Sequence, residues 1–258
     1  MADVPTGALA GRVALVTGGG RGIGAAVTTE LALSGASVVL TYRRDRESAE
    51  ALVEKLAGEG ATALAVESHV DDPASSERVV ATAVEQFGGL DVLVNNAGVA
   101  SRGNAVADTT LDELSWVLQV HAIGPHQLVR AALPHLRRAD RSDVVFVSSV
   151  AASTWGANGA PYAMGKAAVE ALAHTLAKEE RGNGVHVNIV APGLTDTEMG
   201  RRLARATRDV DDIRELDDRS PFGRVCAPED IARVVRFLVG PEGAYVNDQR
   251  IVVDGGTF

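Results

Sequence analysis

The sequence is poor in cysteine and lysine, has no long apolar run and carries no net positive charge. Cys226 is the single cysteine among 258 residues, so no internal disulfide can form and a reducing, cytoplasmic setting is expected. The only lysines are Lys55, Lys166 and Lys178. Arginine keeps its proton in proteins whereas lysine shifts its pKa readily, so a lysine beside a candidate site is informative here. No stretch approaches about 18 consecutive apolar residues, so no membrane-spanning helix is expected. Met1–Gly11 has neither the basic start nor the apolar run of a secretory leader. The net charge of -9 argues against a nucleic-acid partner, which would want a basic face. Six scattered histidines and one isolated cysteine give no tight ligand spacing, so no metal is expected.

What is present is a patterned globular chain. Hydrophobic residues make up 46% and charged residues 23%, and a chain of this length buries about three quarters of its unfolded surface. Short apolar runs at Val13–Thr17, Val38–Thr41, Ala63–Val66, Val92–Val94, Val144–Val147, Val185–Val190 and Ile251–Val253 read as strands covered on both faces. Helical stretches fall between them: Ile23–Ser34, Arg46–Gly58, Asp72–Phe87, Leu111–Arg138 with a break near Gly124-Pro125, Tyr162–Arg181 and Pro228–Val239. Strand–helix alternation predicts an α/β fold, a Rossmann-type doubly wound parallel seven-stranded sheet with helices on both faces. Residues 1–258 are expected to form one domain, with ligands at the carboxyl ends of the strands.

The first strand runs into Thr17-Gly18-Gly19-Gly20-Arg21-Gly22-Ile23-Gly24, and a helix follows. Such a loop lets backbone approach a pyrophosphate, and the helix start offers free N–H groups to the anion. The spacing Gly-x-x-x-Gly-x-Gly resembles that of the short-chain dehydrogenase/reductase family, and the resemblance covers about Gly11 to Phe258. Asn95-Asn96-Ala97-Gly98, Pro192-Gly193 with Thr197 beyond it, and Asp254-Gly255-Gly256 fit the family's motifs in order. The resemblance implies that Gly18, Gly20, Arg21, Gly22, Ile23, Gly24, Asn95, Ala97, Gly98, Pro192, Gly193 and Thr197 line the cofactor. The end of the second strand reads Thr41-Tyr42-Arg43-Arg44, without the acid that would bind a ribose 2′-hydroxyl. Arginine can grip a 2′-phosphate, so NADP(H) is expected, with Thr41, Arg43 and Arg21 at that phosphate.

Ser149 is expected to end the fifth strand, and Tyr162 and Lys166 to open the long helix after it. Residues four apart share one helix face, so phenol and ammonium can point into one cleft. A nearby positive charge would lower the tyrosine pKa from about 10 and fit it for acid–base work. The family resemblance makes Ser149, thirteen positions before the tyrosine, the group that hydrogen-bonds the substrate oxygen. It also makes Tyr162 the acid/base and Lys166 a holder of the nicotinamide ribose.

Two positions depart from the family pattern. His121 stands where an Asn usually positions a relay water; imidazole could hold that water and would titrate near neutral pH, or it is a structural histidine. His69-Val70 stands where Asp-Val usually meets adenine, so His69 or the Val70 backbone are candidates there. The family also implies a mobile lid at about 195–225. Arg201, Arg205 and Arg208 would share a lid-helix face, either open to an anionic substrate or neutralised by neighbouring acids. Ser153, Trp155, Ala157 and Asn158 are expected to line the pocket. The expected substrate is a small carbonyl or alcohol, with 3-oxoacyl thioesters on a carrier protein or CoA, secondary-metabolite ketones and small cyclic or sugar alcohols as alternatives. Arg137, Arg138 and Arg141 are candidates for docking an acidic carrier. A homotetramer follows from the resemblance. A nucleotide-binding regulatory protein with weakened catalysis is the reading from another class.

Overall fold

The computed structural model describes residues 7–258, so the first six residues of the segment read as leader-free lie outside it. The apolar runs form β1 (Val13–Val16), β2 (Ser37–Tyr42), β3 (Ala63–Glu67), β4 (Val92–Asn95), β5 (Ser142–Val147), β6 (Val185–Pro192) and β7 (Arg250–Val253). All pair in parallel, in the order β3-β2-β1-β4-β5-β6-β7. The intervening helices are α1 (Gly22–Leu33), α2 (Arg46–Gly58), α3 (Pro73–Phe87), α4 (Leu111–Leu118), α5 (Gly124–Leu136), α6 (Ala151–Thr154), α7 (Ala160–Glu180), α8 (Glu198–Arg208) and α9 (Pro228–Val239).

The inner strands β2, β1, β4, β5 and β6 alternate their side chains between two cores. Val13 and Leu15 of β1 pack beneath α3, α5 and α7 with Phe146 and Leu93. Ala14 and Val16 pack beneath α1 and α9 with Val27, Leu31 and Ile231. Each large side chain fully buried in either layer contributes about 1.5–3 kcal/mol. Polar caps set the helix ends. Asp45 accepts from the Ser48 N–H, Asp72 from that of Ala74 and Thr110 from that of Glu113. In α9, Pro228 takes the first turn and Asp230 accepts the Ala227 N–H at 2.9 Å.

Two local expectations change. The stretch Leu111–Leu136 is not broken at Gly124-Pro125; a π turn, Gln119–Ile123, joins α4 to α5. Pro125 has no N–H to give the His121 carbonyl four residues back, so the helix widens there. A short α6 also follows β5, in a segment whose Ala and Ser run has no helical apolar period to betray it. The strand order reverses between β1 and β4. Register aligns Val16 with Leu40 of β2 and with Val94 of β4, so the three strand ends meet at one edge. That edge carries the site.

Candidate active site

The glycine loop leaves β1 at Thr17 and enters α1 at Gly22. Gly18 and Gly22 adopt φ of +62° and +55°, which side chains disfavour. A methyl at Gly24 would overlap the Gly18 carbonyl oxygen, so α1 starts flush against the loop. The Thr17 hydroxyl accepts the N–H groups of Asn96 and Ala97 at 3.0 Å, and Asn96 Nδ2 donates to the Thr17 carbonyl at 2.8 Å. Thr17 and Asn96 thus brace the loop against the end of β4. Neither was among the expected cofactor contacts, though a hydroxyl ending the strand before a glycine run was a signal for one of them.

Helix α1 opens without a side-chain cap and without an acid in its first turn, so its positive end is left to an anion. Beside it, the buried Asn95 Nδ2 has no partner among the described residues. A cradle that excludes side chains, an uncapped helix start and an unpaired buried donor fit a dinucleotide. Ile23 sits half-buried against the α1–α9 core. Ala97 packs on Gly18, and Gly193 approaches Asp254 so closely that a side chain would not fit. Pro192 ends β6, its carbonyl accepting the Val150 N–H at 3.0 Å. Thr197 caps α8 by accepting the Gly200 N–H and lies next to Gly22.

The three residues expected at the 2′-phosphate make different contacts in the protein. Thr41 is buried, its hydroxyl accepting the Gly18 N–H at 3.1 Å, so it braces the loop from below. Arg21 pairs with Glu198 of α8 at 2.9 Å, on the lid side of the crevice. Arg43 is exposed, with its guanidinium 4.6 Å from the Trp116 ring centroid. After β3, the His69 N–H donates to the Ser75 hydroxyl at 2.9 Å while its ring meets Glu67 at 3.3 Å. The Val70 carbonyl packs against Gly124, where a side chain would collide with it.

Ser149, Tyr162 and Lys166 converge past the end of β5. The strand stops at Val147, two residues short of Ser149, and the Lys166 ammonium donates to the Val147 carbonyl at 2.7 Å. Ser149 accepts the Ala151 N–H at 3.2 Å. Behind it Glu170, one turn after Lys166, accepts from the Ser148 hydroxyl at 2.6 Å and from Arg250 Nε at 2.9 Å. Arg250 also donates to the Ser149 carbonyl and to the Ser153 hydroxyl. A residue of β7 thereby straps the serine segment to α7, a link no local pattern announced.

Electrostatics correct one expectation. Burial raises the Tyr162 pKa, and the hydrogen bond with Ser149 opposes it. Lys166 Nζ lies 5.7 Å from the Tyr162 ring centroid, yet burial of the phenol outweighs any help from that charge in the free protein. Lys166 itself is fully buried, and desolvation pushes its pKa down to about 8 against the pull of Glu170. A carboxylate one turn away keeps the ammonium charged up to that pH.

His121 lies in the π turn, ring edge against Tyr162 at 5.2 Å between centroids. Its niche exists because Gly98 and Gly165 lack side chains: a methyl at Gly98 would come within 2.7 Å of the imidazole, and one at Gly165 within 2.9 Å of the His121 Cβ. Nε2 lies 2.7 Å from the Val99 carbonyl and 3.2 Å from the Val99 N–H. The shorter contact selects Nε2–H as donor to the carbonyl. Burial, reinforced by the Lys166 charge, pushes its pKa down to about 3. Of the two alternatives for this residue, a lowered pKa favours the structural histidine over one that titrates near neutral pH.

Of the three lid arginines, Arg201 pairs with Asp196 at 2.8 Å, Arg205 donates to the Asp211 carbonyl, and Arg208 has no ion-pair partner among the described residues. Asp196 also holds Arg214 at 2.9 Å, and Arg202 pairs with Glu198. Ala204, Val210, Ile213, Leu216 and Val225 form a small core of their own beneath. A cavity of about 430 Å³ is lined by Val106, Trp155, Ala157, Asn158, Ala163 and Met164, and by none of Ser149, Tyr162 and Lys166. Two arginines expected to dock a carrier are also engaged: Arg137 with Glu180, and Arg141 with Asp143 and the Leu238 and Gly240 carbonyls. Among the described residues, no three His, Cys, Asp or Glu side chains gather as metal ligands would, and no helix is long and apolar enough to cross a membrane.

A family profile described as Enoyl-(Acyl carrier protein) reductase matches residues 18–257. The chain belongs to the short-chain dehydrogenase/reductase family. It is 37% identical to versicolorin reductase of Emericella nidulans over 97% of each chain. A dehydrogenase/reductase from Sinorhizobium meliloti superposes with a TM-score of 0.88 at 36% identity, covering 97% of both chains. A short chain dehydrogenase from Burkholderia cenocepacia, solved in complex with NADP, superposes at 0.87 with 36% identity, covering 96% of this chain and 98% of that one. As a member of this family the protein is an oxidoreductase, with the Rossmann-type sheet the sequence predicted.

Proposed function

We propose that this short-chain dehydrogenase/reductase is an NADP(H)-dependent ketoreductase that reduces a ketone to a secondary alcohol. The convergence of Ser149, Tyr162 and Lys166 beside the glycine loop carries the reading. Residues 1–258 act as one unit, with a lid at about 195–225. A bound reduced nicotinamide supplies the hydride to the carbonyl carbon. The Tyr162 hydroxyl gives its proton to the carbonyl oxygen, and its raised pKa in the free protein keeps that proton in place beforehand. Ser149 donates a hydrogen bond to the same oxygen as negative charge develops. Lys166, charged below about pH 8, holds the ribose and steadies the phenolate left behind. His121 acts as a fixed neutral dipole at the back of Tyr162, its unprotonated Nδ1 an acceptor for a relay water.

The cofactor reading rests on Arg43 standing where an acid would select NAD, and NADP bound to the Burkholderia cenocepacia relative supports it. Gly18, Gly20, Gly22, Ile23, Gly24, Asn95, Ala97 and Gly98 would hold its pyrophosphate and neighbouring ribose, and Pro192, Gly193 and Thr197 the nicotinamide end. His69 and Val70 would border the adenine. The net charge of -9 disfavours a carrier-linked 3-oxoacyl thioester relative to a free ketone, since an acidic carrier would want a basic docking surface. The internal pairing of Arg137 and Arg141 points the same way.

NADPH absorbance should be followed with a fused-ring aryl ketone and, separately, with a 3-oxoacyl thioester, and repeated with NADH. Tyr162→Phe should abolish turnover and keep cofactor binding. Full activity in that variant would remove Tyr162 from the mechanism, and faster use of NADH would overturn the cofactor assignment.

A further inference from the structure

The cations around the glycine loop differ in what holds them. Arg21 is paired with Glu198 at 2.9 Å, and Arg46 with Glu50 and Glu67. Arg43, at the end of β2, has no carboxylate partner among the described residues. Its guanidinium lies instead on the face of Trp116, on the second turn of α4 and 73 positions away in sequence.

The two kinds of partner have different consequences. A carboxylate neutralises a guanidinium and consumes its N–H donors. An indole face attracts the cation through its quadrupole, leaves the charge intact and leaves the in-plane donors free. It also confines a long side chain, so less entropy is lost when an anion is gripped. Trp116 can do this because it is anchored: α4 is capped by Thr110, packs on α7 and continues through the π turn that carries His121.

We propose that Trp116 is a specificity-determining positioning residue, its indole face holding the charged Arg43 guanidinium ready for the 2′-phosphate of the adenosine half of the cofactor. This rests on the NADP(H) reading given above. It adds a residue from α4 to a discrimination otherwise assigned to the end of β2 alone.

The test compares 2′,5′-ADP with 5′-ADP on the full chain, in wild type, Trp116→Leu, Trp116→Phe and Arg43→Ala. Cation–π contacts at exposed sites correspond to about two- to fivefold in affinity. Trp116→Leu should therefore weaken 2′,5′-ADP by about that factor and leave 5′-ADP unchanged. Trp116→Phe, which keeps an aromatic face, should recover part of the loss, and Arg43→Ala should abolish the preference. In a Trp155→Phe background Trp116 is the sole indole. Saturating 2′,5′-ADP should then change its emission more than saturating 5′-ADP does. Equal weakening of both nucleotides by Trp116→Leu would make the residue merely structural and overturn the proposal. So would an unchanged preference in that variant, or equal emission changes with the two nucleotides. Equal affinity of the wild type for both nucleotides is a different failure: it removes the NADP(H) reading, and this proposal with it.

Discussion

Replacing His121 with Asn should flatten the acid limb of the protein's stability curve without moving its pH–rate profile. The imidazole has a pKa of about 3 in the folded state and about 6.5 when unfolded. Between those values the unfolded chain binds a proton that the folded chain refuses, so stability falls as pH falls. From pH 7 to pH 5 the loss attributable to this one ring is about 2 kcal/mol, at 1.36 kcal/mol per pH unit once below pH 6.5. Asparagine does not titrate, so His121→Asn should lose about 2 kcal/mol less over the same interval. At pH 7 the variant itself should be less stable, because the smaller side chain leaves space between Gly98 and Gly165. Urea unfolding at pH 5, 6 and 7, at one fixed protein concentration, measures both effects. The pH dependence of kcat above pH 5 should keep its shape, since the wild-type ring is already neutral there. An acid limb equally steep in both proteins, or a kcat inflection near pH 6.5 that the substitution abolishes, would refute the buried-neutral assignment.

Gly24→Ala should abolish nucleotide binding measured by calorimetry, since the new methyl overlaps the Gly18 carbonyl and displaces the loop from α1; overpacking of this kind costs about 1–3 kcal/mol or more. Glu170→Gln removes the charge that Arg250 and Lys166 face. It should lower kcat, leave the cofactor Kd within about twofold, and shift the alkaline limb of the rate profile to lower pH, because the carboxylate raises the Lys166 pKa. Asp196→Asn releases Arg201 and Arg214 from the lid base. The arginines are half-exposed, so the stability loss should be about 1 kcal/mol or less, while KM for the ketone rises and the cofactor Kd holds.

The sequence by itself determined the elements. Each of the seven strands lies where an apolar run predicted it, and in the five inner ones this follows because a strand covered on both faces must be apolar at nearly every position. The helix starts at Arg46, Pro73 and Pro228 fall within a residue of the predicted ones because backbone N–H groups there find local partners, Asp45, Asp72 and Asp230, which are neighbours in sequence. The glycine loop and the Tyr162–Lys166 spacing were legible for the same reason: backbone conformation and helix periodicity are short-range. The tertiary structure decided how charges and contacts were spent. Arg21 on Glu198, Arg43 on Trp116, Arg201 on Asp196 and Arg250 on Glu170 each join residues that only the crossover topology or the lid's folding back brings together. The protonation of His121 and Tyr162 was likewise out of reach of the sequence. Desolvation belongs to the surroundings of a group, and those surroundings are assembled from β4, β5, the π turn and α7 at once.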